Sequence, residues 1–348
     1  MTAAAITELI VVTEGRYRPP ATPLRRRLGD LRLAFVTRQP PEVAIHAKAR
    51  RHVGAVISRL PPHDAVVVEH PGLAPLIRRR RGERWFLTLH NVGSGTLRQQ
   101  AELVGGRQRW LNRRYAGHAA RLEDRWLREY DTVFSVSDDD AAMLPGPSVV
   151  VPNGVDTTVH APSPVPRAPR IVFVGTLGFL PNVDGVLWFV EQVLPLVRRQ
   201  VPAVELALVG RLATPEVRGL SRLPGVSVHV DVPDVRPYVA AARVSIVPLR
   251  VGTGTRLKAL ESMAAGRPVV GTTVGLAGLH LETGRHALVA DDAETFARDV
   301  VRVLTDDALA ARLAESGRSF VVARYDWERI AGTFVDAVFG AVDRARPW

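Results

Sequence analysis

The chain has 348 residues, 46% hydrophobic and 23% charged, a composition that suits a soluble protein of two globular domains. The absence of cysteine excludes disulfides, zinc ribbons and thiol nucleophiles. The net charge of +11 comes from 44 Arg and two Lys, Lys48 and Lys258, with 24 basic against 16 acidic groups over residues 1–166 and 22 against 19 over residues 167–348.

In chain order, β-branched runs predict strands at 8–12, 65–69, 85–89, 132–136 and 149–151, with helices near 43–59, 98–129 and 138–144. Four prolines within residues 161–169 can continue neither a helix nor a central strand, so this stretch reads as a stiff linker. Beyond it, strands are expected at 171–174, 205–209, 226–230, 244–247, 269–271 and 287–289. Helices are expected at 182–199, 255–265, 293–304, 307–323 and 327–342. The alternation predicts α/β architecture: two Rossmann-like, doubly wound parallel-sheet domains, 1–160 and 170–325, facing a cleft. Residues 326–348 then form a closing helix that is free to cross back to the first domain. The N-terminus lacks a signal-peptide pattern, and no apolar stretch is long enough to span a bilayer, so a cytoplasmic protein is expected. The basic first domain leaves peripheral contact with an anionic membrane open, and no aromatic–basic interleaving suggests nucleic acid.

The chemistry concentrates in the stretch Gly252-Thr253-Gly254-Thr255-Arg256-Leu257-Lys258-Ala259-Leu260-Glu261, which follows a strand and opens a helix. Glycines allow a tight turn and close approach of a ligand. A helix N-terminus offers free N–H groups to a phosphate, and Arg256 and Lys258 add two cations beside it. Leu257, Leu260 and Ala264 are expected to face the core, and Gly266 to end the helix. The alternative is an ordinary βαβ turn with a surface Lys–Glu pair.

This segment resembles the donor-binding signature of retaining glycosyltransferases of the GT-B fold, in the glycosyltransferase family 4-like (group 1) set. It is most similar to a subgroup with the pattern Gly-x-Gly-x-Arg-x-Lys-x-x-Glu. The resemblance implies that Glu261 holds the ribose hydroxyls of a nucleotide-diphosphate-sugar. A second glutamate found in related members would fall at Thr253, which is not acidic; this leaves the sugar open. Further matches are the interdomain string 151–156, the loop carrying Gly175 and Gly178, Arg211 at a strand end, and His90 after the 85–89 strand. The donor-binding set implied is Gly175, Gly178, Arg211, Gly252, Thr253, Gly254, Thr255, Arg256, Lys258 and Glu261, with His90, Arg256 and Lys258 catalytic. Glu123, Ser137 and Asp138 are read as capping or pairing groups.

The mechanism implied is transfer of the sugar with retention, the cations stabilising the leaving diphosphate and no metal or other cofactor required. The acceptor stays open between glycan, lipid-linked and small molecules. Two alternatives remain: a donor-binding member without turnover, and a nucleotide-sugar 2-epimerase of the same fold. A dinucleotide dehydrogenase is disfavoured because no Gly-x-Gly-x-x-Gly follows a first strand. Family members open with an earlier strand and a Gly-rich loop, so the 8–12 run reads as a second strand and the first domain as N-terminally truncated; the alternative is that 8–12 is the first strand and its loop has diverged.

Overall fold

The structure, a computed structural model, describes residues 65–69, 79 and 82–343, all within one compact unit, His52–Trp348. The expected strand at 8–12, the expected helix at 43–59 and the reading of a truncated start lie outside these residues.

The first sheet comprises β1 (Ala65–Val68), β2 (Arg84–Leu89), β3 (Thr132–Ser135) and β4 (Val149–Val150), all parallel, in the order β1-β2-β3-β4. Alternation along β2 sends Trp85, Leu87 and Leu89 to one face and Phe86 to the other. The first face is covered by α2 (Gly106–Glu129) through Trp126 and Leu127, and the second by α11 (Trp327–Asp343) through Ile330, Phe334 and Val338. The Phe134 and Phe334 rings lie 5.0 Å apart. A fully buried side chain of this kind contributes about 1.5–3 kcal/mol and the half-buried Phe334 less, so α11 packs as part of the first sheet's core.

The second sheet comprises β5 (Arg170–Thr176), β6 (Glu205–Arg211), β7 (Val226–Val230), β8 (Val244–Val247), β9 (Val269–Gly271) and β10 (Leu288–Val289). All are parallel, in the order β10-β9-β8-β5-β6-β7. Ile171 and Phe173 bury on one face and Val172 on the other, which is why the strand is apolar throughout. After β3 comes the short helix α3 (Asp138–Met143); around the second sheet run α4 (Leu180–Trp188), α5 (Leu194–Gln200), α6 (Pro215–Gly219), α7 (Arg236–Ala241), α8 (Leu257–Ala264), α9 (Ala293–Thr305) and α10 (Asp307–Tyr325).

Three expectations are revised. The long helix at 98–129 is two helices, α1 (Gly93–Leu103) and α2, because residues 104–105 are extended and Gly106 takes φ +52°. The helix at 182–199 widens to a π-turn over Phe189–Val193, just before Pro195, which has no N–H for a regular turn. The helix expected from 255 starts at Leu257, whose side chain is exposed, while Leu260 and Ala264 are buried. The proline-rich linker is held by two buried arginines: Arg243 donates to the Pro166 carbonyl at 3.2 Å, and Arg267 donates to the Pro164 carbonyl at 3.0 Å.

Candidate functional site

Strand order in the second sheet reverses at β5, with β6 on one side and β8 on the other. In open parallel sheets the crevice beyond such a reversal, at the carboxyl ends of the strands, is where ligands bind. The segments leaving these strands lie close together. An added Cβ at Gly178 would stand 2.3 Å from the Leu212 carbonyl oxygen, so only glycine fits there. Thr176 pairs in register with Arg211, which places that exposed arginine at the carboxyl end of β6, one strand away from Gly175.

Lys258, on the first turn of α8, reaches back to this point. Its ammonium donates to Asn182 Oδ1 at 2.6 Å and lies 4.4 Å from the centre of the Phe173 ring. An added Cβ at Gly175 would meet Lys258 Nζ at 2.9 Å, so Gly175 makes the space that the ammonium occupies. Asn182 is itself fixed by donating to the Thr176 carbonyl at 2.8 Å. Burial, and after it the neighbouring Arg256 charge, together push the Lys258 ammonium down to about 7 against an opposing pull from Glu261. Arg256 is also buried, and burial lowers its pKa, partly offset by Asp140. Its guanidinium donates to the carbonyls of Thr253 and Val274, while Nη2 is buried without a hydrogen-bond partner among the described residues. An unmet buried donor costs about 1–3 kcal/mol, so this nitrogen is primed for an acceptor.

The Gly/Thr turn is tied to the other side of the cleft. Gly252 N donates to Gln99 Oε1 at 2.5 Å, and the Thr253 and Thr96 hydroxyls meet at 2.5 Å. Gly254 N donates to Asp140 Oδ1 at 3.1 Å, and Thr255 Oγ1 donates to the Val136 carbonyl at 3.0 Å. Gly254 takes φ +82°, and a Cβ there would stand 2.6 Å from the His90 carbonyl oxygen. The carboxyl ends of β2 and β3 therefore abut the turn, and both sheets point their strand ends at one crevice. Two of the amides expected to greet a phosphate, those of Gly252 and Gly254, are already bonded across the cleft.

His90 stands exposed at the end of β2, with Nε2 3.6 Å from Glu69 Oε2 at the end of β1. The Glu69 hydrogen bond raises the His90 pKa, opposed by burial and supported by the Glu69 charge and by Asn153.

The geometry thus brings together Gly175, Arg256, Lys258 and the 252–255 turn, with Gly178 shaping the β5–β6 edge; Arg211 is placed only by its strand register, and its side chain is exposed. Glu261 follows Lys258 on α8, half-buried. Glu123 accepts from Ser94 N at 2.9 Å, and Ser137 Oγ accepts from Asp140 N at 3.0 Å, both as helix caps. Sequence reasoning did not single out Asn182, Asp140, Thr96, Gln99 or Glu69 as site residues. Asp140 lies in the first turn of the Asp138–Met143 helix, and no local pattern marks its reach across the cleft.

Residues 168–306 match the family model described as "Glycosyl transferases group 1". The lipopolysaccharide core biosynthesis mannosyltransferase LpcC of Rhizobium leguminosarum bv. viciae is 26% identical over 238 residues, covering 63% of this chain and 67% of that protein. Sucrose-phosphate synthase from Thermosynechococcus elongatus superposes with a TM-score of 0.68 at 21% identity, covering 84% of this chain and 78% of that one. Anabaena Alr3699/HepE, solved in complex with UDP and glucose, superposes with a TM-score of 0.62 at 14% identity, covering 84% and 81%. The chain spans about half the length of the first curated relatives it matches, 44%, 67% and 55%. Two parallel sheets with these neighbours make the fold GT-B.

Proposed function

We propose that this chain, which carries a group 1 glycosyl transferase domain at residues 168–306 within a GT-B fold, is a glycosyltransferase that moves a sugar from a nucleotide-diphosphate donor to an acceptor with retention and without a metal. The observation that carries the proposal is the gathering of cations at the β5/β8 reversal: Lys258 against Gly175 and Asn182, and Arg256 with an unmet buried donor. As the glycosidic bond breaks, negative charge grows on the departing diphosphate. Lys258 and Arg256 are already desolvated and in place, so they stabilise that charge without reorganising. Arg211, exposed at the end of β6, adds a third cation from the facing edge. Glu261 is assigned to the ribose hydroxyls. His90 lies on the opposite wall, facing the sugar, with Glu69 favouring its protonated form. The departing phosphate accepts the acceptor's proton. UDP in the Anabaena protein and the mannosyltransferase name of the Rhizobium relative are in keeping with a hexose donor.

The test is product analysis with a panel of nucleotide-diphosphate-sugars and the anomeric proton followed by NMR. Free nucleotide diphosphate with a glycoside of unchanged anomeric configuration supports the proposal. An epimerised nucleotide-sugar, or an inverted product, overturns it.

A further inference from the structure

Helix α2 carries a surface that the donor site does not use. Arg107, Trp110, Arg114, Gly117, Arg121, Arg125 and Arg128 follow one another at spacings of three or four, so they share one face of the helix. All seven are exposed, whereas Asn112, Ala116 and Glu123, on the opposite face, are buried. The stripe runs for about 30 Å at 1.5 Å per residue. Arg125 and Arg128 pair with Glu129 and Asp124, but Arg107, Arg114 and Arg121 have no carboxylate partner among the described residues. No acidic residue occurs at all between 106 and 122. Trp110 is 57% exposed, and the Arg114 guanidinium lies 5.4 Å from its ring centre.

Arginine richness alone does not account for this. On α9, by contrast, Arg298 and Arg302 both engage Asp299. Keeping a large aromatic in water amid unpaired cations is unfavourable for a free surface and favourable at a lipid headgroup region. There the indole ring sits at the apolar–polar boundary and each nearby basic residue meets anionic headgroups. Among the described residues no helix is long and apolar enough to cross a membrane, so contact by this face would be peripheral.

We propose that the Arg107–Trp110–Arg114–Arg121 face of α2 docks on an anionic lipid bilayer. The buried face of the same helix carries Glu123, which caps α1, and α1 supplies Thr96 and Gln99 to the 252–253 turn. Docking through α2 thus sets the bilayer one helix away from the cleft.

The experiment is flotation of the full chain with phosphatidylcholine vesicles, with and without a 30% fraction of phosphatidylglycerol, at about 0.15 M salt, where exposed charges more than about 8 Å apart are screened. Binding is expected to the anionic vesicles alone. Arg107→Glu/Arg114→Glu/Arg121→Glu should reduce it more than tenfold. Trp110→Ser should reduce it several-fold and leave its salt dependence unchanged. A matched reversal on the second domain, Arg199→Glu/Arg222→Glu/Arg312→Glu, should retain binding. All seven positions are exposed, and unchanged melting curves would verify that the variants fold. Equal binding to neutral vesicles, equal loss in both triple variants, or tighter binding of duplex DNA than of vesicles at the same salt would overturn the proposal.

Discussion

The two sheets offer unequal settings for chemistry. The first runs β1-β2-β3-β4 in chain order, so among the described strands no reversal opens a crevice within it. The second reverses at β5, and the cations gather there. The second sheet therefore builds a site largely from its own residues, while the first contributes across the gap: Asp140, Thr96, Gln99 and His90 meet the turn or stand opposite it. On this view the second sheet grips the charged leaving group and the first sets the closed geometry.

The sharpest way to break that division is Lys258→Ala, which removes a preorganised cation from the grip. It should lower kcat by about 100- to 1000-fold, equivalent to about 2.7–4 kcal/mol, in an assay of nucleotide diphosphate release. A loss confined to KM would move Lys258 from transition-state stabilisation to simple donor binding.

Next in size is Asp140→Ala, which acts from the first sheet. It removes the acceptor of the Gly254 amide and a partial counter-charge to Arg256. A hydrogen bond to a charged group contributes about 1.5–3 kcal/mol, so donor KM should rise by an order of magnitude or more. If kcat alone changed, with donor affinity intact, Asp140 would belong to the chemistry rather than to closure.

The pH dependence of donor affinity sharpens the electrostatic side. Lys258 must be charged to attract a diphosphate, and in the free protein burial brings it to about 7. Affinity for a nucleotide-sugar should thus be highest below pH 7 and weaken by up to about tenfold per unit above it, by calorimetric titration. In Lys258→Met this slope should disappear.

How far the residues alone foretell the structure follows the same division. The second domain's strands announce themselves because burial on both faces demands runs such as Ile171-Val172-Phe173-Val174, and the turn and its cations are contiguous in sequence. The α1–α2 break was hidden, since residues 104–106 include two glycines but interrupt an otherwise continuous helical pattern. Asp140, Thr96 and Gln99 lie more than 100 residues from the turn they hold, and nothing local encodes a contact of that separation. Glu69 was readable only as the end of a strand until β1 was seen beside β2.

The smallest expected effect concerns that last pair. Glu69 raises the His90 pKa in the folded chain, so its contribution is fully present below the unfolded value of 6.5 and is lost as pH rises through the folded pKa. Both side chains are exposed, which limits the pair to about 0.2–1 kcal/mol. Urea melts of Glu69→Gln should show a deficit of that size at pH 5.5 and none at pH 8.5; a constant deficit would mean that Glu69 acts through packing.

The central claim, that desolvated cations at the strand reversal hold a nucleotide diphosphate, is met most directly by a thermal-shift screen. UDP, GDP, ADP and TDP, each alone and as a sugar conjugate, would be offered to the wild type and to Lys258→Ala. At least one nucleotide should raise the wild-type Tm and fail to raise that of the variant. Equal shifts in both proteins, or no shift with any nucleotide, would contradict the account.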